Sequence, residues 1–227
     1  GTKHITNNLT SISTIGGQYF KSGIYTLFGE GYGLGIGATT PTAAQQRLAT
    51  TTTTENATAG GFAQQQLNFK DKLFGTVAAR VDENSAFGKR QKNTIYPSAN
   101  LSYVVSDESW FPRTMFSDRL RLRGSVGQAG LPPGTTAAIT FLSTLTYPSA
   151  GGESPGLVLQ QLGNLELKPE VTTEYEGGFD LGMLKDRVNL EFTYFSKIAK
   201  NELFQQPLPP SSGTGAGSQW VNLARVD

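Results

Sequence analysis

Val171-Thr172-Thr173-Glu174-Tyr175-Glu176-Gly177-Gly178-Phe179-Asp180-Leu181 alternates without a slip. Val171, Thr173, Tyr175, Gly177, Phe179 and Leu181 fall on one side, and Thr172, Glu174, Glu176, Gly178 and Asp180 on the other. A period of two belongs to a β-strand with two different faces. The stretch also has the length of a tilted strand that crosses a bilayer, about 9–11 residues. After Leu184-Lys185-Asp186-Arg187 the alternation resumes, with Val188, Leu190, Phe192 and Tyr194 against Asn189, Glu191 and Thr193. A turn is predicted at 184–186, between two paired strands.

That turn recurs. Phe69-Lys70-Asp71-Lys72-Leu73-Phe74, Phe116-Ser117-Asp118-Arg119-Leu120-Arg121 and Leu184-Lys185-Asp186-Arg187-Val188-Asn189 each set Asp before a basic residue and then a large apolar one. Asp suits a tight turn because its carboxylate accepts hydrogen bonds from nearby backbone N–H groups. Alternation follows each one. Leu120, Leu122 and Val126 oppose Arg119, Arg121, Arg123 and Ser125; Leu73, Val77, Ala79 and Val81 oppose Thr76, Arg80 and Asp82. Ile95, Ala99, Leu101, Tyr103 and Val105 oppose Ser98, Asn100 and Ser102, and Ala63, Leu67 and Phe69 oppose Gln64, Gln66 and Asn68 more weakly. Leu9 to Phe28 is strand-like without a fixed register, and Gln219 to Val226 begins one more strand.

The chain, 1–227, therefore reads as one all-β unit of roughly eight strands in an antiparallel meander. Short turns are predicted near 70–71 and 184–186, with a longer one at 106–117. Long loops are predicted near 29–55, 84–93, 128–170 and 199–218. Short and long connections alternate, so the short ones gather at one end of the sheet. Outer-membrane β-barrels have short periplasmic turns and long extracellular loops in this way. A soluble sandwich has less reason to segregate them.

Charge supports two solvents for the two faces. Arg119, Arg121 and Arg123 share one side of a strand, and Glu174, Glu176 and Asp180 share the same kind of side of the next. Paired antiparallel, they form a lumen-facing charge network worth about 0.2–1 kcal/mol per cross-strand pair. Facing lipid, each Arg at mid-depth would cost about 2–4 kcal/mol. Aromatic residues gather near strand ends (Phe69, Phe74, Trp110, Phe111, Phe116, Tyr194, Phe195 and Trp220), as interfacial girdles do.

Composition bounds the rest. Nineteen basic and 18 acidic residues give a formal net charge of +1, which points away from nucleic acid. Cysteine is absent, so there is neither a disulfide framework nor a thiolate metal site. No apolar run reaches the ~18 residues of a transmembrane helix. No signal peptide opens the chain and Gly1 is not an initiator Met, so the N-terminus is expected to have been removed or to lie within a longer polypeptide.

Four stretches resemble the barrel of TonB-dependent outer-membrane receptors. Leu165-Glu166-Leu167-Lys168-Pro169-Glu170, followed by Thr173-Glu174-Tyr175-Glu176-Gly177-Gly178-Phe179, resembles their "N-x-x-L-K-P-E … E-x-G" signature. Arg80-Val81-Asp82-Glu83-Asn84-Ser85-Ala86-Phe87-Gly88 resembles "R-x-D-x-S-S-x-F-G", a mark of the SusC/RagA-like branch. Tyr96-Pro97-Ser98-Ala99-Asn100-Leu101-Ser102-Tyr103 resembles "Y-P-x-x-S-x-x-W", with Tyr103 at the Trp position. Leu120-Arg121-Leu122-Arg123-Gly124-Ser125-Val126-Gly127 is similar to "L-K-L-R-A-S-Y-G". Pro169 lacks an N–H and biases Lys168 toward extended geometry, which suits a loop entering a strand.

The resemblance implies a transmembrane barrel of about 22 strands filled by a plug. It implies import of a scarce nutrient (glycan, peptide or metal chelate) in the bacterial outer membrane, energised by TonB through a box near the receptor's N-terminus. The implied partners are outer-membrane lipid, the rest of the barrel, its plug, the TonB system, and a SusD-like lipoprotein or other subunits. Plug and box are missing from this chain, and Asp227 is not the terminal aromatic residue of such barrels. The expectation is an incomplete, internal portion of a larger barrel.

Catalytic signals are sparse, and the expectation is no enzyme, cofactor or metal. His4 is the single histidine, which argues against a Ser/His/Asp triad or a His-based metal site. Gly29-Glu30-Gly31-Tyr32-Gly33-Leu34-Gly35-Ile36-Gly37 lacks the spacing of a phosphate-cradling loop. Asp82-Glu83-Asn84 offers oxygens to Ca²⁺ without the rest of an EF-hand loop. Thr50 to Thr54 reads as a solvated low-complexity run, and Pro207-Leu208-Pro209-Pro210 as the start of a loop. Tyr147 and Trp220 are the candidate stacking groups for a ligand. Two rival readings remain: a complete small outer-membrane barrel with a structural or adhesive role, and a soluble β-domain that binds protein or glycan.

Overall fold

A computed structural model describes every residue except 89–92, 113, 115–117, 150–151, 186, 214–215 and 227; the side chains of 149 and 224–226 are also left aside. Phe116 and the Asp186 of the third turn repeat lie outside the described residues. The strands are β1 (Thr2–Thr6), β2 (Leu9–Leu34), β3 (Ala44–Phe69), β4 (Leu73–Asn84), β5 (Thr94–Val104), β6 (Arg119–Leu131), β7 (Phe141–Ser149), β8 (Gly152–Gln161), β9 (Glu170–Met183), β10 (Val188–Pro207) and β11 (Ser218–Val226). One nine-stranded sheet runs β1-β2-β3-β4-β5-β6-β9-β10-β11, its neighbouring strands all antiparallel; β7 and β8 form a separate hairpin. The sheet does not close on itself. It is an open antiparallel meander with two edge strands, β1 and β11.

The strands predicted around residues 73–81, 95–105, 118–127, 171–181 and 188–194 are all present. So is the segregation of connections. Those at 70–72, 105–118 and 184–187 lie at one end, and those at 35–43, 85–93, 132–169 and 208–217 at the other.

The predicted loop limits are corrected in three places, and the strand count rises from roughly eight to eleven. In 29–55, β2 continues to Leu34 and β3 starts at Ala44, so only 35–43 connects them. Thr50 to Thr54 is not a solvated coil but pairs residue by residue with Phe28 to Ile24. Threonine is β-branched and stiff at χ1, and it packs well beside aromatic and aliphatic residues across a ladder. At the far end of this hairpin a Cβ on Gly31 would lie 2.6 Å from Ala44 Cβ, so glycine lets the strands close there. In 128–170, β6 runs on to Leu131 and the β7–β8 hairpin follows. In 199–218, β10 persists to Pro207, leaving 208–217 as the connection. Asn201 takes a left-handed φ of 56°, just past Lys200, where the β9–β10 pairing ends and β10 continues beside β11 alone.

Two rows across the sheet show why it has two faces. Leu67, Gly75, Leu101, Gly124, Gly177 and Tyr194 are successive cross-strand neighbours on the apolar face. One residue along, Gln66, Thr76, Asn100, Ser125 and Glu176 form the neighbouring row on the polar face. The apolar face has no second layer: Leu190, Phe192 and Tyr194 are 48%, 53% and 69% exposed. Phe179 stacks on Phe192 across β9–β10, ring centroids 5.6 Å apart.

Candidate functional site: a charged ladder and a buried signature loop

The first feature is the charged strip on β6, β9 and β10. Register sets Arg121 opposite Asp180, and Arg121 Nε donates to Asp180 Oδ2 at 2.6 Å. Arg123 lies beside the same carboxylate, its Nε 3.4 Å from Asp180 Oδ1. Its Nη2 donates across β9 to Glu191 Oε1 at 2.5 Å and Thr193 Oγ1 at 2.6 Å on β10. Arg119 Nη2 donates to Asn189 Oδ1 at 3.2 Å. One carboxylate, Asp180, thus serves two guanidinium groups, and Glu191 supplies the second acceptor for Arg123.

The charges on these strands pair differently from the simple Arg-to-Glu scheme expected. Glu174 and Glu176 do not meet the arginines. Glu176 faces Ser125 and accepts from its Oγ at 3.2 Å; Glu174 faces Lys197 of β10, 3.1 Å away. The reason is register. Glycines stand opposite Arg119 and Arg123, namely Gly182 and Gly178, so only Asp180 of the three acids sits in the arginine segment. Alternation gives the face of a residue and not its partner. Glu191 was recognisable only as a polar-face residue.

The second feature is the loop that carries Leu165-Glu166-Leu167-Lys168-Pro169-Glu170. Leu167 and Pro169 are the largest fully buried side chains, in a sheet that buries little else. Asn164 Nδ2 donates to the Trp220 carbonyl at 3.0 Å, and its Oδ1 accepts from Glu166 N–H at 3.0 Å. Asn222 accepts from Lys168 N–H and donates to the Lys168 carbonyl, both at 2.9 Å, and to the Asn201 carbonyl at 2.8 Å. The loop is therefore fastened to β11 by side chains. On its other side stands the second motif. Gly88 N–H donates to the Leu167 carbonyl at 3.2 Å, and a Cβ on Gly88 would come within 2.3 Å of the Leu165 carbonyl oxygen. Two sequence signatures nearly eighty residues apart thus interlock, and Gly88 is glycine because backbone passes against it. Asn222 was not singled out from sequence; Asn164 was not named either, although it stands at the Asn of the N-x-x-L-K-P-E signature, and Asn commonly bonds the backbone two residues on.

The remaining sequence candidates fall as follows. Tyr147 is exposed on β7, in the hairpin outside the main sheet, while Trp220 is partly buried on β11 with its carbonyl taken by Asn164. The structure does not bring the two together. Asp82 is engaged by Arg80 Nε at 2.7 and 2.8 Å, and Asn84 by Thr58 Oγ1 at 2.7 Å, while Glu83 alternates to the opposite face. The Ca²⁺ reading of 82–84 loses its convergent oxygens. Among the described residues no group of three or more potential metal ligands occurs. Gly29 to Leu34 belongs to β2, paired with Ala49 to Ala44 of β3, and is not a loop. His4 shares a hydrogen bond with Thr10 Oγ1 at 3.1 Å in β1. The Asp of the turn repeat acts less locally than expected. Asp71 binds the Asn68 side-chain amide, but Asp118 accepts from Lys185 N–H at 2.5 Å, capping the neighbouring turn. In the projecting β2–β3 hairpin, a hydrogen bond to Glu55 raises the pKa of Lys21, and one to Glu30 raises that of Tyr32.

Comparison with known proteins agrees with this geometry. The family model for the TonB dependent receptor-like β-barrel matches residues 2–227. TonB-dependent receptor P3 of Formosa agariphila is 26% identical over 167 residues, covering 73% of this chain and 16% of that protein. TonB-dependent receptor P26 of the same organism is 27% identical over 172 residues, covering 74% and 17%. The chain thus spans about a sixth of the curated relatives it matches. Among solved structures, the RagAB peptide transporter superposes with a TM-score of 0.82 at 19% identity, over 99% of this chain and 25% of that one. The siderophore receptor PirA from Pseudomonas aeruginosa gives 0.57 at 14% identity, over 99% and 36%. A two-faced, unclosed meander with segregated turns and interlocked signature loops belongs, by sequence as by fold, to the β-barrel of the TonB-dependent receptor family of the bacterial outer membrane.

Proposed function

We propose that this chain is part of the wall of a TonB-dependent transporter that takes up a nutrient across the outer membrane. The observation that carries the reading is the division of the sheet: a ladder of paired charges on one face and exposed apolar side chains on the other. In lipid the arginines would be costly, about 2–4 kcal/mol each at mid-depth, so the ladder lines an aqueous lumen. Its pairing leaves Glu176, held by Ser125 Oγ, as the carboxylate best placed for a plug residue. Arg119, Arg121, Arg123, Glu174 and Asp180 complete that lumen-facing strip.

In this reading the plug and the TonB system belong to the whole protein, and a SusD-like lipoprotein or other subunits sit at the end with the long connections. Glycan, peptide and metal chelate are the nutrient classes considered; the RagAB neighbour is a peptide importer, which favours trying peptides first. Tyr147 is the better of the two candidate ligand contacts because its ring, which lies over Gly156, is still about half exposed on the β7–β8 hairpin. The role is transport and not catalysis.

The test is uptake. Cells that express the whole receptor are offered labelled oligopeptides, oligosaccharides and ferric chelates, with and without a protonophore. Energy-dependent uptake of one class that disappears on deletion supports the proposal. Equal uptake of all three by the deletion strain refutes it.

A further inference from the structure

The apolar face is not a uniform wall. Near the end with the short turns it carries a shallow, open groove of about 460 Å³. Leu67, Val77, Leu101 and Val126 form its banks, and Gly75, Ala99 and Gly124 its floor. Gly75 lies two residues into β4, and Leu67 two residues before the end of β3. The groove therefore sits in the leaflet nearer the short turns, which is the periplasmic side of such barrels.

The floor glycines are not required by the fold. A Cβ on Gly75 would meet only Leu101 Cδ1, at 3.6 Å, and one on Gly124 only the Glu176 carbonyl oxygen, at 3.8 Å. Gly177, the cross-strand neighbour of Gly124, has nothing within 4 Å of its Cβ position. None of the three has a positive φ. Gly178 next door differs, since its Cβ would strike the Phe192 carbonyl oxygen at 2.3 Å. Glycine inside a strand weakens it, and where internal packing gives no reason, something outside the sheet comes close.

What comes close is set by the surroundings. The groove is continuous with the face that contacts the membrane, and its banks carry no charge. At its edge Gln65, the polar residue among the banks, is closed on itself: it accepts from Ser13 Oγ at 2.6 Å and donates to Ser11 Oγ at 2.8 Å and to the Ile12 and Gln66 carbonyls at 3.2 and 3.1 Å. An amide satisfied in this way suits a hydrocarbon neighbour, because an unmet polar group there is costly. We propose that this groove holds one acyl chain of a membrane phospholipid, ordered against Gly75, Ala99 and Gly124. The inference rests on the membrane-spanning fold and not on the transport reading, so either can fail alone.

The experiment is native mass spectrometry of the whole receptor in mild detergent, supplied with palmitoyl-oleoyl-phosphatidylethanolamine. Retention of one lipid is expected for the unaltered protein. Gly75→Leu with Gly124→Leu, which fills the floor, should lower retention about tenfold, as expected when a few methylenes lose their site. Leu190→Ala, on the same face outside the groove, should leave it unchanged. Heat-modifiable gel mobility reports folding; if the double variant fails to fold, Gly75→Leu alone serves, with a smaller drop. Equal retention by filled and open grooves overturns the proposal. So does a receptor dimer that the filling substitutions split while lipid retention stays constant, because a second copy would then occupy the groove.

Discussion

In β6, β9 and β10 the side chains tie the ladder together; in the upper part of the β2–β3 hairpin the backbone does so almost alone. Arg121, Arg123, Asp180, Glu191 and Thr193 make bonds that cross two strand boundaries. The 26-residue strands β2 and β3 keep pairing well beyond Asn84, where β4 ends beside Thr58, so residues 21–57 project as a two-stranded ribbon. Along it side-chain contacts are local, such as Lys21 with Glu55 and Tyr32 with Glu30. Tyr25, Leu27 and Phe28 are exposed there. An isolated two-stranded ribbon is marginal in water, whereas a multi-stranded sheet supports itself. The same meander thus yields a wall where neighbours flank both edges and an arm where they do not. The signature loop belongs to the wall, since it binds β11 to the β4–β5 connection.

Substitutions can break or sharpen this contrast in urea titrations of the whole refolded receptor. The largest effect is expected from Leu167→Ala, which empties the most buried position and should cost about 2–5 kcal/mol; a loss below about 1 kcal/mol would show that the loop is not anchored. Asn222→Ala removes two hydrogen bonds from the same fastening, and a third to the Asn201 carbonyl, and should cost about 1–3 kcal/mol. Asp180→Ala leaves Arg121 and Arg123 without their shared partner. Because Arg121 is half exposed, the cost should be only about 1 kcal/mol, and added salt should shrink it. Leu184→Gly should stabilise by about 0.5–1 kcal/mol, since Leu184 holds a φ of 56° that disfavours any residue with a Cβ. Thr52→Ala, in the arm, should move stability by less than about 0.5 kcal/mol. A larger change there would show that the ribbon is braced by a neighbour.

How much was legible varied by element. Val171 to Leu181 and Val188 to Tyr194 alternate strictly, so their strands, faces and turn follow from period alone. The arm was misread because glycines and a threonine run resemble loop composition, although threonine is also a good strand residue. That Glu83 stands on the opposite face from Asp82 and Asn84 needed only alternation. The pairing of Glu174 with Lys197, and not with the arginines, could not be read from one strand, because face is local and register is shared between strands.

Period two, Asp-Lys/Arg turns and the order of short and long connections determined by themselves a two-faced antiparallel meander, and they favoured the membrane-barrel kind over a soluble sheet. Each is a property of residues adjacent in the chain, where sterics and solvent preference act directly. The tertiary structure decided which acid meets which arginine, that Gly88 lies under Leu165 and Leu167, and that the glycines of the apolar face line a groove. Those contacts join residues far apart in sequence, and they exist only after the hydrogen-bond ladders fix the offset of one strand against the next.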